Sequence, residues 1–245
     1  VTKPIQSALN VLGVLETLAS HPPMGLSEAA RAAQLPKTTT LRCLLTLQEA
    51  GWVRLSEDRN AEWSLTNRAL LTGLRAAPAG ELAGLATEEM NHVREAVGES
   101  VHLMVRDGLE QIVVARADGV GAIRTYLPLG TRIPFHSSSS GRALLSAMSA
   151  EEAEAVLTAE AEAPGFDRAR VEAHVEEARS RGFSVNEGEW REGVAGVGVP
   201  VRGAAGDLRG AISVSLPVAR MEELGAEEIG RLLLESQRRL ADRLR

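Results

Sequence analysis

The chain holds one cysteine, Cys43, among 245 residues, and only seven aromatic side chains: three Trp, three Phe and one Tyr. A single thiol closes no internal disulfide and builds no cysteine-rich metal site, which excludes the stapled secreted scaffold and the zinc ribbon. No apolar run approaches the roughly 20 residues that span a bilayer. The opening residues Val1 to Gln6 also lack the basic-then-apolar pattern of a secretory signal. A cytoplasmic protein with no membrane partner, no metal and no cofactor is the expectation. Lysine is scarce as well, since all but two of the 27 cations are arginine. What charge there is divides unevenly: residues 1–75 carry 8 Lys+Arg against 6 Asp+Glu, and residues 76–245 carry 19 against 27. A net charge of −6 argues against a histone-like coat. It leaves specific DNA binding open, because counterion release depends on local cations facing phosphates.

With 44% hydrophobic and 24% charged residues the chain is globular, and a domain of roughly 100–200 residues allows one large or two modest domains. Ile5, Leu9, Leu12, Leu15 and Leu18 recur at steps of three and four, which predicts a helix with that stripe facing a core. His21-Pro22-Pro23 ends it. A short helix is expected from Ser27, whose hydroxyl can cap it, to Gln34. Leu35-Pro36 breaks it, and a third helix follows with Leu41, Leu44, Leu45 and Leu47 inside and Gly51 as its left-handed stop. Trp52 to Leu55 and Glu62 to Leu65 then alternate around a turn at 56–61, the pattern of a hairpin.

Helix, short helix, tight turn, helix and hairpin is the order of a winged helix-turn-helix, in which the last helix enters the major groove and the hairpin meets the flanking backbone. The start of the third helix suits that use. Backbone donors and Thr hydroxyls bind phosphate, a Thr methyl packs on a thymine methyl, and Arg42 can read guanine. The candidate DNA-contacting set is Ser27, Pro36, Lys37, Thr38, Thr39, Thr40 and Arg42, with Arg59 on the wing. Simple helix capping is the plainer use of the three threonines.

Helical patterns continue from Thr66 to Glu99, broken at Ala76 to Gly80, where small residues and a proline mark a boundary between two helices and two domains. Beyond it the period becomes two. Val101, Leu103 and Val105 lead through Asp107-Gly108 into Gln111 to Val114, a hairpin. Further strands are predicted at 122–127, 182–186, 194–201 and 208–216. A capping box at Ser149 and Glu152, an amphipathic helix from Asp167 to Arg181 closed by Gly182, and a last helix over 226–244 complete the chain. The second part is a mixed domain with an antiparallel sheet, large enough for an interior pocket.

Four segments together resemble the isocitrate lyase regulator (IclR) family of bacterial transcription factors. They are Leu35-Pro36-Lys37-Thr38-Thr39-Thr40-Leu41-Arg42-Cys43-Leu44-Leu45 with Gly51-Trp52-Val53; Trp63-Ser64-Leu65-Thr66; Gly130-Thr131-Arg132-Ile133-Pro134-Phe135-His136 with Ser137 to Leu145; and Gly193 to Val201 with Gly210 to Pro217. The resemblance implies an α+β protein. Its N-terminal winged helix-turn-helix domain would cover 1–76, including the start of a linker helix. A GAF-like mixed α/β domain over 77–245 would bind an effector and oligomerise. It implies a regulator that binds a double-stranded palindromic operator as a homodimer or a tetramer (dimer of dimers) and answers to a small-molecule effector, expected to be a carboxylate metabolite. By position, the family's pocket maps to Ile133, Ser139, Ser140, Asn186, Val194, Gly196, Ser213 and Ser215. His136 joins them as a further candidate, though a structural hydrogen bond is its plainer role. Asn186 stands where the glyoxylate-responsive branch has an acid, so glyoxylate itself is not implied.

The residues agree with that placement. Ser139 and Ser140 open a helix, where free N–H groups and hydroxyls suit an anion, and Ser213 and Ser215 lie two apart on a strand, facing one side. Two other readings stand beside it: a regulator or assembly module without ligand, and a hydrolase using the serines near His136. No Gly-x-Ser-x-Gly elbow supports the hydrolase, and no catalytic residue is assigned. Gly193, Gly196 and Gly198 lack dinucleotide-loop spacing. Asn186, Glu187 and Glu189 read as a solvated loop rather than a metal site. Cys43 reads as a small core residue, and Trp190 as lining either the pocket or a subunit contact.

Overall fold

Proline and glycine set the limits of the first helices. In the computed structural model, which describes residues 3–21, 23–56, 60–76, 78–121 and 124–244, α1 (Gln6–Ala19), α2 (Leu26–Ala32) and α3 (Lys37–Glu49) precede the hairpin β1 (Val53–Leu55) and β2 (Trp63–Leu65). Gly51 takes φ +76 directly after α3, a conformation that glycine alone adopts without cost. A helix α4 (Asn67–Ala76) follows. By contacts the chain divides into two units, residues 1–77 and 78–245.

The core of the first unit is Val14, Leu18, Met24, Ala29, Cys43, Leu44, Leu47, Val53 and Trp63. Three expectations are corrected there. The buried face of α1 runs through Val14 and Leu18, with Val11 and Leu15 packed beside them, while Ile5, Leu9 and Leu12 face solvent. Two apolar stripes share the helix, and only one meets α3. Leu41 and Leu45 are likewise exposed on α3, whose inner face carries Thr40, Cys43, Leu44 and Leu47. Finally, Ser27 does not cap α2. Gly25 holds the cap position and Ser27 lies exposed in the first turn.

The second unit is an antiparallel six-stranded sheet in the order β5-β4-β3-β8-β7-β6. Its strands are β3 (Ser100–Asp107), β4 (Glu110–Ala117), β5 (Arg132–Ile133), β6 (Ser184–Glu187), β7 (Val194–Arg202) and β8 (Leu208–Pro217). Alternation sorts their side chains. Val101, Leu103, Val197, Val199, Ile212, Val214 and Leu216 pack on one side with α5 (Pro78–Val97) and α10 (Ala226–Arg243). The opposite side meets α6 (Ser139–Ala147), against which α8 (Arg168–Arg181) packs. Between them α7 (Ala150–Ala159) opens on the expected Ser149–Glu152 capping box, α8 closes on Gly182 at φ +81, and a short α9 (Val218–Leu224), not foreseen, links β8 to α10.

The strand predicted at 122–127 does not form in its described part, 124–127. Leu127 is buried beside Met104, Val113 and Ile133, but the strand that pairs with β4 is β5, through Gln111↔Ile133 and Ile112↔Arg132. The fold is α+β.

Candidate functional site

On the first unit the candidate surface is the N-terminal end of α3. Pro36 occupies the cap position without a side-chain cap bond, so the first-turn N–H groups and the positive end of the helix dipole stay available to an anion. Lys37, Thr38 and Arg42 are exposed, Pro36 too, and Thr39 is half-buried. Thr40 departs from its expected role. It is fully buried, and its hydroxyl donates to the Pro36 carbonyl at 3.1 Å, so it shapes the turn instead of reaching DNA. Arg59 lies outside the described residues. Leu41 and Leu45 are exposed on α3 as well.

Arg31 on α2 and Arg54 on β1 are further exposed cations of this unit. Arg54 donates to the Ser64 hydroxyl across the hairpin at 3.3 Å, and isolated arginines outside a helix N-terminus leave little sequence signal. Burial raises the Cys43 thiol above its ordinary range although Arg42 pulls the other way, which leaves the thiol protonated and unreactive.

In the second unit the candidate effector residues are brought together in part. Asn186 on β6 pairs in register with Gly196 on β7, and Gly196 with Ser215 on β8. Gly198 pairs likewise with Ser213. Ser139 lies over both glycines: a Cβ at Gly196 would stand 2.6 Å from its hydroxyl, and one at Gly198 2.9 Å from its carbonyl. Gly198, which meets backbone, is therefore needed for α6 to sit this close, and at Gly196 a side chain would displace the Ser139 hydroxyl. Ser139, Ser140, Asn186 and Ser213 are all buried, and Val194 and Ser215 are half-buried. Ile133 belongs to an adjoining apolar patch with Met104, Val113 and Leu127, on which Trp190 packs.

His136 is held by a partner of its own. Its Nδ1 lies 2.8 Å from Glu160, whose carboxylate also accepts the backbone N–H of Phe135 at 2.7 Å and of His136 at 2.9 Å. The ring meets Phe166 edge-on. Glu160 is the oriented acid that the sequence did not disclose, being 24 residues away. Yet among the described residues none of the four serine hydroxyls bonds the ring. That of Ser138 caps α6 by accepting from Gly141, takes a bond from Gln111 at 2.9 Å, and donates to the Pro134 carbonyl. His136 anchors the segment before α6.

Arg142 was missed as well, although it follows the serines. It is buried, donating from Nε to the His136 carbonyl at 3.0 Å, from Nη1 to the Val185 carbonyl at 2.7 Å, and from Nη2 to Glu189 at 3.1 Å. Burial pulls its guanidinium below the ordinary range against the pull of Glu189. Burial would raise the Glu189 carboxyl, but Arg142 and the Glu187 amide outweigh that and hold it low. Glu189 also accepts from the Asn186 amide at 2.9 Å, and the same amide donates to the Ser137 carbonyl at 2.8 Å. Asn186 is thus held by a charged network, and Glu189 is spent on Arg142 and Asn186. Among the described residues no group of three acidic, His or Cys side chains is placed to hold a metal. None of their helices is long and apolar enough to cross a membrane.

Residues 7–57 match the IclR helix-turn-helix domain, and residues 76–241 match the C-terminal domain of the bacterial transcriptional regulator IclR. The chain is 26% identical to the HTH-type transcriptional regulator KdgR of Dickeya chrysanthemi, over 98% of this chain and 80% of that protein. It is also 26% identical to the transcriptional repressor IclR of Escherichia coli (strain K12), over 96% and 88%. The crystal structure of an IclR homolog from Microbacterium hydrocarbonoxydans, complexed with 4-hydroxybenzoate, superposes with a TM-score of 0.81 at 24% identity, over 97% of this chain and 98% of that one.

Proposed function

Because the chain belongs to the IclR family of bacterial transcriptional regulators, we propose that it recognises a palindromic operator through the N-terminal end of α3, and that a small organic acid held by the second unit modulates that recognition. The chain is a transcriptional regulator with a helix-turn-helix DNA-binding domain and a C-terminal ligand-binding domain. The outward face of α3 supports the operator reading. Its uncapped start, exposed Lys37 and Thr38, and exposed Arg42 combine phosphate binding with base reading on one helix end. We count exposed Ser27 and Pro36 and half-buried Thr39 as supporting contacts.

Two-fold symmetry follows from a homodimer, and the exposed apolar side chains support one. Ile5 just before α1, Leu9 and Leu12 on α1, and Leu70 and Leu71 on α4 are all exposed, and large apolar side chains gathered on a surface mark an interaction site. Each dimer would present two α3 helices about 34 Å apart, one turn of the duplex, or a multiple of it.

For the effector, the group of Ser139, Ser140, Asn186, Gly196, Ser213 and Ser215, flanked by Ile133 and Val194, offers serine hydroxyls and a helix N-terminus, donors that suit a carboxylate, while Asn186, whose amide already donates to Ser137 and Glu189, borders the group. The acid changes operator affinity only by preferring one arrangement of the protein over another. Footprinting on the operator, with and without candidate acids, tests the reading. Arg42→Ala should abolish specific protection without unfolding the chain, and a footprint retained by that variant counts against α3 as the reading helix.

A further inference from the structure

His102 sits fully buried in the middle of β3. Its neighbours Val101 and Leu103 pack on the α5 and α10 side, so alternation turns His102 to the other face, the face of Met104, Ser213 and Ser215. In register it stands between Arg116 on β4 and Ser213 on β8, and Ser213 in turn pairs with Gly198, the glycine under Ser139. Its Nδ1 lies 3.4 Å from the Ser215 hydroxyl. Its Nε2 is buried and finds no partner among the described residues. A buried ring nitrogen left unpaired is unfavourable, and Met104, the next residue on the same face, fills its place with a plain apolar side chain, so packing alone does not call for histidine.

We infer that His102 contacts the effector directly, its Nε2 bonding an oxygen of the bound acid beside Ser213 and Ser215. This rests on the reading that the second unit takes a small organic acid on this face. With the Ser215 hydroxyl donating to Nδ1, the ring proton sits on Nε2, and Nε2–H meets a carboxylate or carbonyl oxygen. The charged groups facing the ring are Arg116 and Asp118. Arg116 is engaged already: it pairs with Asp118 at 3.2 Å, donates to the Leu127 carbonyl at 3.3 Å and lies over Tyr126. The acid is then met by hydroxyls and an imidazole rather than by a free guanidinium.

That arrangement has a protonic signature. Burial holds the imidazole down at about 4, with Asp118 raising and Arg116 lowering it, so the ring is neutral at pH 7. A carboxylate at Nε2 favours the imidazolium and moves that value up. Binding therefore takes up protons, and it tightens as pH falls from 7.5 towards 5.5, above the range where the acid itself is protonated.

The test is calorimetric titration of the full chain with pyruvate, benzoate and 4-hydroxybenzoate, at pH 7.5 and 5.5, in buffers of different ionisation heat. Wild type should bind at least one of them, with proton uptake at pH 5.5. His102→Phe should lose at least tenfold in affinity together with the proton uptake, while its operator binding without acid is kept. His102→Gln retains a neutral donor and should keep most of the affinity but not the uptake, and it carries the test if the Phe variant fails to fold. Unchanged binding and uptake in both variants would overturn the role of His102 and leave the effector reading standing. Silence of the wild type towards all three acids would overturn both.

Discussion

Arg142→Met is the most demanding test of the second unit. The arginine side chain is 3% exposed and Glu189 17%, so its removal strands three acceptors at once: the carbonyls of His136 and Val185 and the carboxylate of Glu189. Arg170 reaches the same carboxylate at 3.3 Å from an exposed position and recovers part of the loss. Removing one partner of a buried pair costs about 3–5 kcal/mol, and the two carbonyls, which water can reach only if the loop opens, keep the expected loss near the upper end. Trp190, in the residue after Glu189, is the sole tryptophan of the second unit, since Trp52 and Trp63 lie in the first. Urea unfolding followed at Trp190, in a chain whose other two tryptophans are replaced by phenylalanine, reports this unit. The double variant Arg142→Met/Glu189→Gln should recover 1 kcal/mol or more, about the value of relieving one buried charge. A loss below about 1 kcal/mol in the single variant would refute the view that this network holds the 186–193 segment to α6.

Three further outcomes follow from the same geometry. His102, with its imidazole held at about 4, binds a proton more readily in the unfolded chain, where the ordinary value is about 6.5. Stability is therefore untouched above pH 7 and falls as pH drops from about 6.5 to 4, by about 3 kcal/mol in all; His102→Phe should flatten that part of a pH–stability curve, and an unchanged slope would contradict the assignment. Thr40→Val should leave a hydroxyl-free but well-packed core and lower stability by about 1 kcal/mol with the operator footprint kept, whereas Thr38→Val should weaken the operator and spare the melting temperature. Gly198→Ala puts a methyl 2.9 Å from the Ser139 backbone, so it should cost about 1–3 kcal/mol and weaken acid binding; equal affinity in a calorimetric titration would separate Ser139 from the site.

Local chemistry was the legible part of this chain. Gly51 and Gly182 end helices, Ser149 and Glu152 form a capping box, and Asp107-Gly108 turns a hairpin, because each depends on residues within four positions of one another. What failed depended on partners far away. The α1 stripe through Ile5, Leu9 and Leu12 and the stripe through Val11, Val14 and Leu18 satisfy the helical period equally, and only the position of α3 decides between them. Thr40 reads as a free hydroxyl until its side of α3 is known. His136 is held by Glu160, and Arg142 by Glu189 at a separation of 47 residues, distances over which charge pairs leave no pattern. His102 was hidden for another reason: both faces of β3 are buried, so its alternation carried no contrast between core and solvent. The serines and glycines of the candidate effector site were found through the family's motifs rather than through periodicity.

The central claim is that the exposed end of α3 reads DNA. The most direct test is sequencing of genomic fragments retained by the purified chain, run beside Arg42→Ala at the same salt. The account predicts enrichment of a palindromic sequence with half-sites one helical turn apart, or a multiple of it, and loss of that enrichment in a variant that melts as wild type does. The same sequence recovered by both proteins, or none recovered by wild type at low salt, would contradict it.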